Sequence, residues 1–87
     1  MDFEYDPQKS ASNLEKHGLD FEKAKDVWRD QRSIEIDTKF DGEKRILVVG
    51  AIEGVLWTVV ITQRDDRIRI ISARRARDKE ISSYDNG

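Results

Sequence analysis

Between residues 33 and 73 the chain repeats one pattern: a β-branched, apolar run closed by a two-residue polar turn signal. "SIEIDTKF" alternates apolar and polar residues, and "KRILVVGAI", "VLWTVVITQ" and "RIRIISA" follow it. Asp41-Gly42, Glu53-Gly54 and Asp65-Asp66 separate the runs. Loops of two residues return a strand onto its neighbour, so this spacing predicts a four-stranded antiparallel meander. The turns also predict a register: Phe40 faces Glu43, Ile52 faces Val55, and Arg64 faces Arg67. Stepping back along the ladders gives one row of Thr38, Arg45, Thr62 and Arg69, and a second row of Ile36, Leu47, Val60 and Ile71. Side chains repeat every two residues, so both rows share one sheet face. A single-residue bulge would shift that map. The opposite face collects Ile46, Val48, Trp57, Val59, Ile61, Ile68 and Ile70 and is the more apolar.

The helical signals precede the sheet. "FEY" is a short N-terminal strand candidate. Asp6 can cap the first helix, Pro7 suits its first position, and Gly18 can end it in the left-handed region. Ala11 and Leu14 mark its expected buried side. Asp20 caps a second helix, where Leu19 can staple onto Ala24 and Phe21, Ala24, Val27 and Trp28 form the apolar stripe. These two N-terminal helices are expected on the apolar sheet face. "ARDKEISSY" reads as a short C-terminal helix, with Glu80 and Tyr84 one turn apart. The expected fold class is α+β, a single domain over residues 1–87, and 87 residues bury only a modest core.

Net charge is −2, yet residues 64–80 hold seven basic and four acidic side chains. That segment is +3 and the remainder −5. On the first sheet face Arg45, Arg64, Arg67 and Arg69 gather with Thr38 and Thr62. Like charges facing each other across strands repel. Either a carboxylate such as Glu43 beside Arg64 or a bound anion must offset this, and arginine forks match phosphate oxygens. A solvated charged surface is the plainer reading. The chain has no cysteine and one histidine, which excludes disulfide and thiolate chemistry and leaves no paired metal-ligand spacing. No metal or other cofactor is expected. No glycine-rich phosphate loop and no nucleophile elbow occurs. No apolar run approaches membrane-spanning length and the N-terminus lacks a leader-like apolar region, so a soluble cytoplasmic protein without membrane contact is expected. RNA cleavage stays open, because RNA carries its own nucleophile, the 2′-OH. The protein then has to orient it, stabilise phosphate charge and move protons.

Few side chains suit those tasks. His17 is the one residue whose ordinary titration range lies near neutrality, although a histidine in a last helical turn also serves the helix dipole. Lys16 can contact phosphate or face water. Tyr84 can donate a proton, stack on a base, or sit in the core with a wet hydroxyl. Glu80 is expected to pair with a neighbouring arginine. Arg74 and Arg75 point in opposite directions from an extended chain, so one reaches the polar face. Trp28 and Trp57 read as core, and Asn13 as a helix-surface residue without a special role.

"YDPQKSASNLEKHGLDFEKA" resembles the opening signature of the BrnT toxin family, matching at Asp6-Pro7, Lys9, Asn13, Lys16-His17-Gly18, Phe21 and Ala24. "RIRIISARRARDKEISSY" resembles its closing signature, at Arg69, Ile71 to Ala76, Glu80 and Tyr84, while Arg45 and Gly50 fit the family's looser middle. The resemblance implies a RelE-like fold and a bacterial type II toxin that cleaves RNA and arrests translation. It implies neutralisation by a BrnA-type antitoxin, with DNA operator binding only through the toxin–antitoxin complex. It also implies that such toxins use Arg, Lys, His or Tyr in place of a metal. His17, Arg45, Arg69, Arg74, Arg75 and Tyr84 thereby become catalytic candidates, with Lys16, Thr62, Arg64 and Arg67 as RNA contacts. A non-catalytic module that binds the antitoxin or nucleic acid is the alternative.

Overall fold

A computed structural model describes residues 2–40 and 42–87, apart from the side chains of Phe40 and Glu43. Strand β1 (Asp2–Glu4) leads into helix α1 (Pro7–His17). One α-helical turn, α2 (Phe21–Ala24), continues as a 3-10 helix over Lys25–Arg29. Strands β2 (Ile34–Phe40), β3 (Glu43–Ile52), β4 (Val55–Arg64) and β5 (Arg67–Arg75) follow, and α3 (Asp78–Asn86) ends the chain. The result is a compact α+β fold. Its sheet runs β1-β5-β4-β3-β2, with the last four strands antiparallel. The N-terminal strand joins in parallel beside β5, pairing Glu4 with Arg69, so the sheet is mixed rather than purely antiparallel.

The two-residue loops set the register as expected: Phe40 with Glu43, Ile52 with Val55, Arg64 with Arg67. Glu53 and Gly54 turn the middle hairpin with φ of 52° and 80°, the paired left-handed conformation that matches strand twist. Asp65 takes φ 55° in the next turn, and Asp41 of the first lies outside the described residues. The β4–β5 ladder departs from the expected map. Val60 faces Ser72 while Ile61 faces Ile70, so Ile71 is an extra residue in β5. The expected row of Ile36, Leu47, Val60 and Ile71 therefore ends in Ser72. Beyond the bulge, even-numbered residues of β5 occupy the face that odd-numbered ones held before it.

The apolar sheet face packs as expected against α2 and the 3-10 helix. Phe21, Ala24, Val27, Val48, Val59, Ile61, Ile68 and Ile70 are buried in one cluster, and Trp28 and Ile46 lie at its margin. Gly50 lets the helical layer approach closely: a Cβ there would stand 2.9 Å from the Val27 carbonyl oxygen.

Helix α1 behaves differently. Asp6 caps it through the Gln8 N–H, and Gly18 ends it at φ 82°. Its inner side is polar, however. Ala11 and Leu14 are exposed, Leu14 by 50%, while Ser10 and Asn13 are buried. This corrects both the expected apolar side and the surface role given to Asn13. The reason is location: α1 lies against the edge of β5, where backbone groups need partners more than side chains need apolar contact. The Asn13 amide donates to the carbonyls of Leu19 (2.7 Å) and Ala73 (2.8 Å), and its oxygen accepts the Ala73 N–H (3.2 Å). It pairs with Ala73 as one more strand would. Ser10 Oγ accepts the Phe21 N–H at 2.9 Å and joins α1 to α2.

Replacing Asn13 by Ala strands three buried backbone groups. Unfolding in urea followed by circular dichroism should register a loss of roughly 3 kcal/mol. Asn13→Asp should rescue little, since a carboxylate cannot donate to two carbonyls. A loss below about 0.5 kcal/mol, the range of ordinary surface changes, would contradict this role.

Candidate functional site

The sheet face opposite α2 is only partly covered. Helix α3 lies over its Val49 and Thr58 end. The next row, Ile36, Leu47 and Val60, is half-exposed, so the C-terminal helix covers less of this face than its apolar rows suggested. Here a cavity of about 280 Å³ is lined by Thr38, Arg45, Leu47, Val60, Arg74 and Arg77. It has an aliphatic floor and guanidinium walls. Arg45 comes from β3, opposite Thr38 of β2. Arg74 reaches this face because of the bulge, which sets it opposite Thr58. Arg75 points the other way and lies 5.3 Å from the Trp57 ring centre.

Glu80 organises this cavity from beneath. It is buried on α3 and accepts both Arg74 terminal nitrogens, at 2.7 and 2.8 Å. The Thr58 hydroxyl and the Arg77 N–H also donate to it, each at 2.8 Å. The Arg74 bonds hold its carboxyl down to about 2 despite the opposing effect of burial, with the Arg77 and Thr58 donors adding to them. The same pair raises the Arg74 pKa. Glu80 thus pairs with an arginine as expected. It compensates the Arg74 charge and fixes where the chain turns from β5 toward Arg77.

A second basic cavity, about 220 Å³, lies where α1 meets the β5 bulge; Lys9, Ser12, Lys16, His17, Ile71 and Ser72 are among its walls. It neighbours the first through the cross-strand pair Val60–Ser72, because Val60 lines one cavity and Ser72 the other. That cross-strand pair is the strip of sheet between the two cavities, and Phe21 of α2 also lines the second.

The other candidates stand apart from that strip. Arg69 binds Glu4 of β1 at 2.9 Å, and Arg67 lies 3.7 Å from the same carboxylate. That contact, chiefly the Arg69 hydrogen bond, lowers the Glu4 pKa. Glu4 therefore offsets the clustered arginines; the side chain of Glu43, the expected partner of Arg64, is outside the described set. Arg64 is exposed near the β4–β5 turn. Thr62 is buried, and its hydroxyl donates to the Lys44 carbonyl at 3.2 Å. Tyr84 is buried on the inner side of α3 and donates to Asp30 at 2.7 Å, a bond that raises its pKa. Burial pushes Asp30 up, but the Ala51 N–H, the Tyr84 hydroxyl and the Arg32 N–H outweigh it and leave its pKa lowered.

The structure thus brings Arg45 and Arg74 together on one side of the strip and Lys16 and His17 on the other. It does not bring Arg75 or Tyr84 there. Lys9, Ser72 and Arg77 join the site although the sequence reading gave them no role in it. Lys9, Ser12 and Lys16 share one helical face by spacing alone, a signal that was legible. Ser72 was hidden by the bulge. Among the described residues no group of His, Asp or Glu side chains comes together that could hold a metal ion. No described helix is long and apolar enough to cross a membrane.

A family model described as a ribonuclease toxin, BrnT, of type II toxin–antitoxin systems matches residues 5–80. No curated protein matches the chain.

Glu80 gives a pH signature. Its folded pKa of about 2 lies below the ordinary 4.5, so its contribution is complete above pH 4.5 and is lost as pH falls toward 2. Acid titration of wild type should lose on the order of 3 kcal/mol across that window from this group. Glu80→Gln should show a flatter profile there. Parallel acid profiles would refute the assignment.

Proposed function

The chain belongs to the BrnT family of ribonuclease toxins of type II toxin–antitoxin systems, and from that premise we propose a metal-independent endoribonuclease that acts in the cytoplasm to inhibit translation. Its scaffold is RelE-like, and a BrnA-type antitoxin neutralises it. One observation carries the reading: two cationic cavities flank the single cross-strand pair Val60–Ser72. An RNA strand crossing the sheet there meets Arg45 and Arg77 on one side and Lys9, Lys16 and His17 on the other. Arg74 supports the first group from its bond to Glu80.

In this reading the 2′-oxygen attacks the adjacent phosphorus while its proton passes to a base. The bond from phosphorus to the 5′-oxygen breaks, and that oxygen takes up a proton. The products are a 2′,3′-cyclic phosphate and a 5′-hydroxyl end. Arg45 and Arg77 stabilise the charge that builds on the phosphate oxygens, where guanidinium forks fit well. His17 is the proton carrier, and Lys9 and Lys16 hold a flanking phosphate. Tyr84 is assigned a structural role through Asp30. Arg69 keeps the edge strand in place through Glu4 and contributes positive field. Cationic side chains supply the charge stabilisation that a metal would otherwise provide.

The test is cleavage of a single-stranded RNA in excess EDTA. Wild type should cleave it. Arg45→Ala should lose about 10²–10³-fold in rate, and His17→Ala about 10²-fold or more. Arg75→Ala, on the opposite face, should cleave like wild type. Binding without strand scission would favour a non-catalytic module, and full activity of both Arg45→Ala and His17→Ala would remove this site from consideration.

A further inference from the structure

The two edges of the sheet are treated unequally. The β5 side is closed by β1 and by the Asn13 amide on Ala73. At the other side β2 is the terminal strand. Its register shows which backbone groups face outward. Phe40 and Glu43 close a two-residue hairpin, and in such hairpins the closing pair exchanges both backbone bonds. Phe40, Thr38, Ile36 and Ile34 therefore bond to β3. The N–H and C=O groups of Glu35, Asp37 and Lys39 point away from the sheet.

Strands usually blunt such an edge with charged side chains, proline, a bulge or a covering element, and β2 carries the charged Glu35, Asp37 and Lys39. β2 contains no proline, and its ladder with β3 runs without a shift from Ile34 to Phe40. Ile36 and Thr38 are half-exposed on the side that faces the arginine cavity, while Ile34 lies beside Gly87 at the end of α3. Thr38 links the features: it lines that cavity and also a depression of about 370 Å³ along β2 with Asp37, Lys39 and Lys44. A chain laid on the edge at Thr38 is therefore beside the cavity that holds Arg45, Arg74 and Arg77.

We propose that the outer edge of β2 is the docking site of the antitoxin, which adds an extended segment to the sheet and directs an acidic side chain past Thr38 into the arginine cavity. This rests on the ribonuclease reading only for its consequence, blockage of the substrate face. The expected segment is amphipathic. An apolar residue meets Ile36, a carboxylate meets the guanidinium walls, and the other side carries neutral or basic residues opposite Glu35 and Asp37. Charge complementarity favours this occupant, because the cavity beside the edge is cationic. Backbone pairing supplies affinity and the alternating side chains supply selectivity.

The experiment uses the full chain and a BrnA-type antitoxin that binds it. Hydrogen exchange followed by NMR should find the amides of Glu35, Asp37 and Lys39 fast in the free chain and slowed in the complex. The amides of Ile36 and Thr38 should be slow in both, and this alternation marks strand addition. Asp37→Pro removes an N–H that β3 does not use, at an edge position that tolerates proline, so it should fold, cleave RNA like wild type and bind the partner about tenfold or more weakly. Unchanged exchange at all three amides in the complex overturns the proposal, even if the proline variant fails to fold. Protection of these amides in the chain alone, rising with concentration, also overturns it by assigning the edge to a second copy. Absence of RNA cleavage by wild type would count against the ribonuclease reading and leave the binding result standing.

Discussion

Where part of a strand lies against a helix instead of another strand, its outward backbone groups must find other partners. In this chain the requirement falls on Ala73, and one side chain meets it. The Asn13 amide supplies a donor and an acceptor to Ala73 and a second donor to the Leu19 carbonyl. These bonds hold α1 against β5 without an apolar seam between them. The orientation of α1 follows from them, and with it the placement of Lys9, Lys16 and His17 along the β5 bulge.

The bulge is the second determinant. One extra residue in β5 reverses which side chains face the cavity, sending Arg74 toward Arg45 and Glu80 while Arg75 lies over Trp57. Without it, Ile71, Ala73 and Arg75 would share the polar face with Arg69. Two carboxylates then tie down three of the arginines. Glu4 takes Arg69 and Arg67, and Glu80 takes Arg74. The basic segment near the C-terminus is thus largely compensated within the fold. The cationic character of the cavities owes as much to Lys9, Lys16, Arg45 and Arg77, which come from other elements or the segment's exposed end.

Much of this arrangement was legible in the residues. The hairpin turns set a register that holds from Ile34 to Val60, and the caps at Asp6, Gly18 and Asp20 sit where the helices begin and end. Local signals of this kind depend on a few adjacent residues, so a sequence displays them directly. The inner side of α1 was misread because Ala11 and Leu14 look more burial-prone than Ser10 and Asn13. Hydrophobicity predicts burial only where the neighbouring surface is itself apolar, and the neighbour here is an open strand edge. The pairing of Arg69 with Glu4 joins residues 65 apart in the chain and leaves no periodic trace.

Turn chemistry, strand alternation and helix caps determined the α+β class, the order of the meander and the candidacy of His17 and Arg45, because each rests on local backbone preference or on residue type; they left Arg74 and Arg75 undecided. Tertiary structure alone decided which cations meet. A one-residue bulge sets side-chain parity, and carboxylates distant in sequence select which arginines are tied down. Both depend on contacts between strands and helices that come together only once the chain has closed on itself.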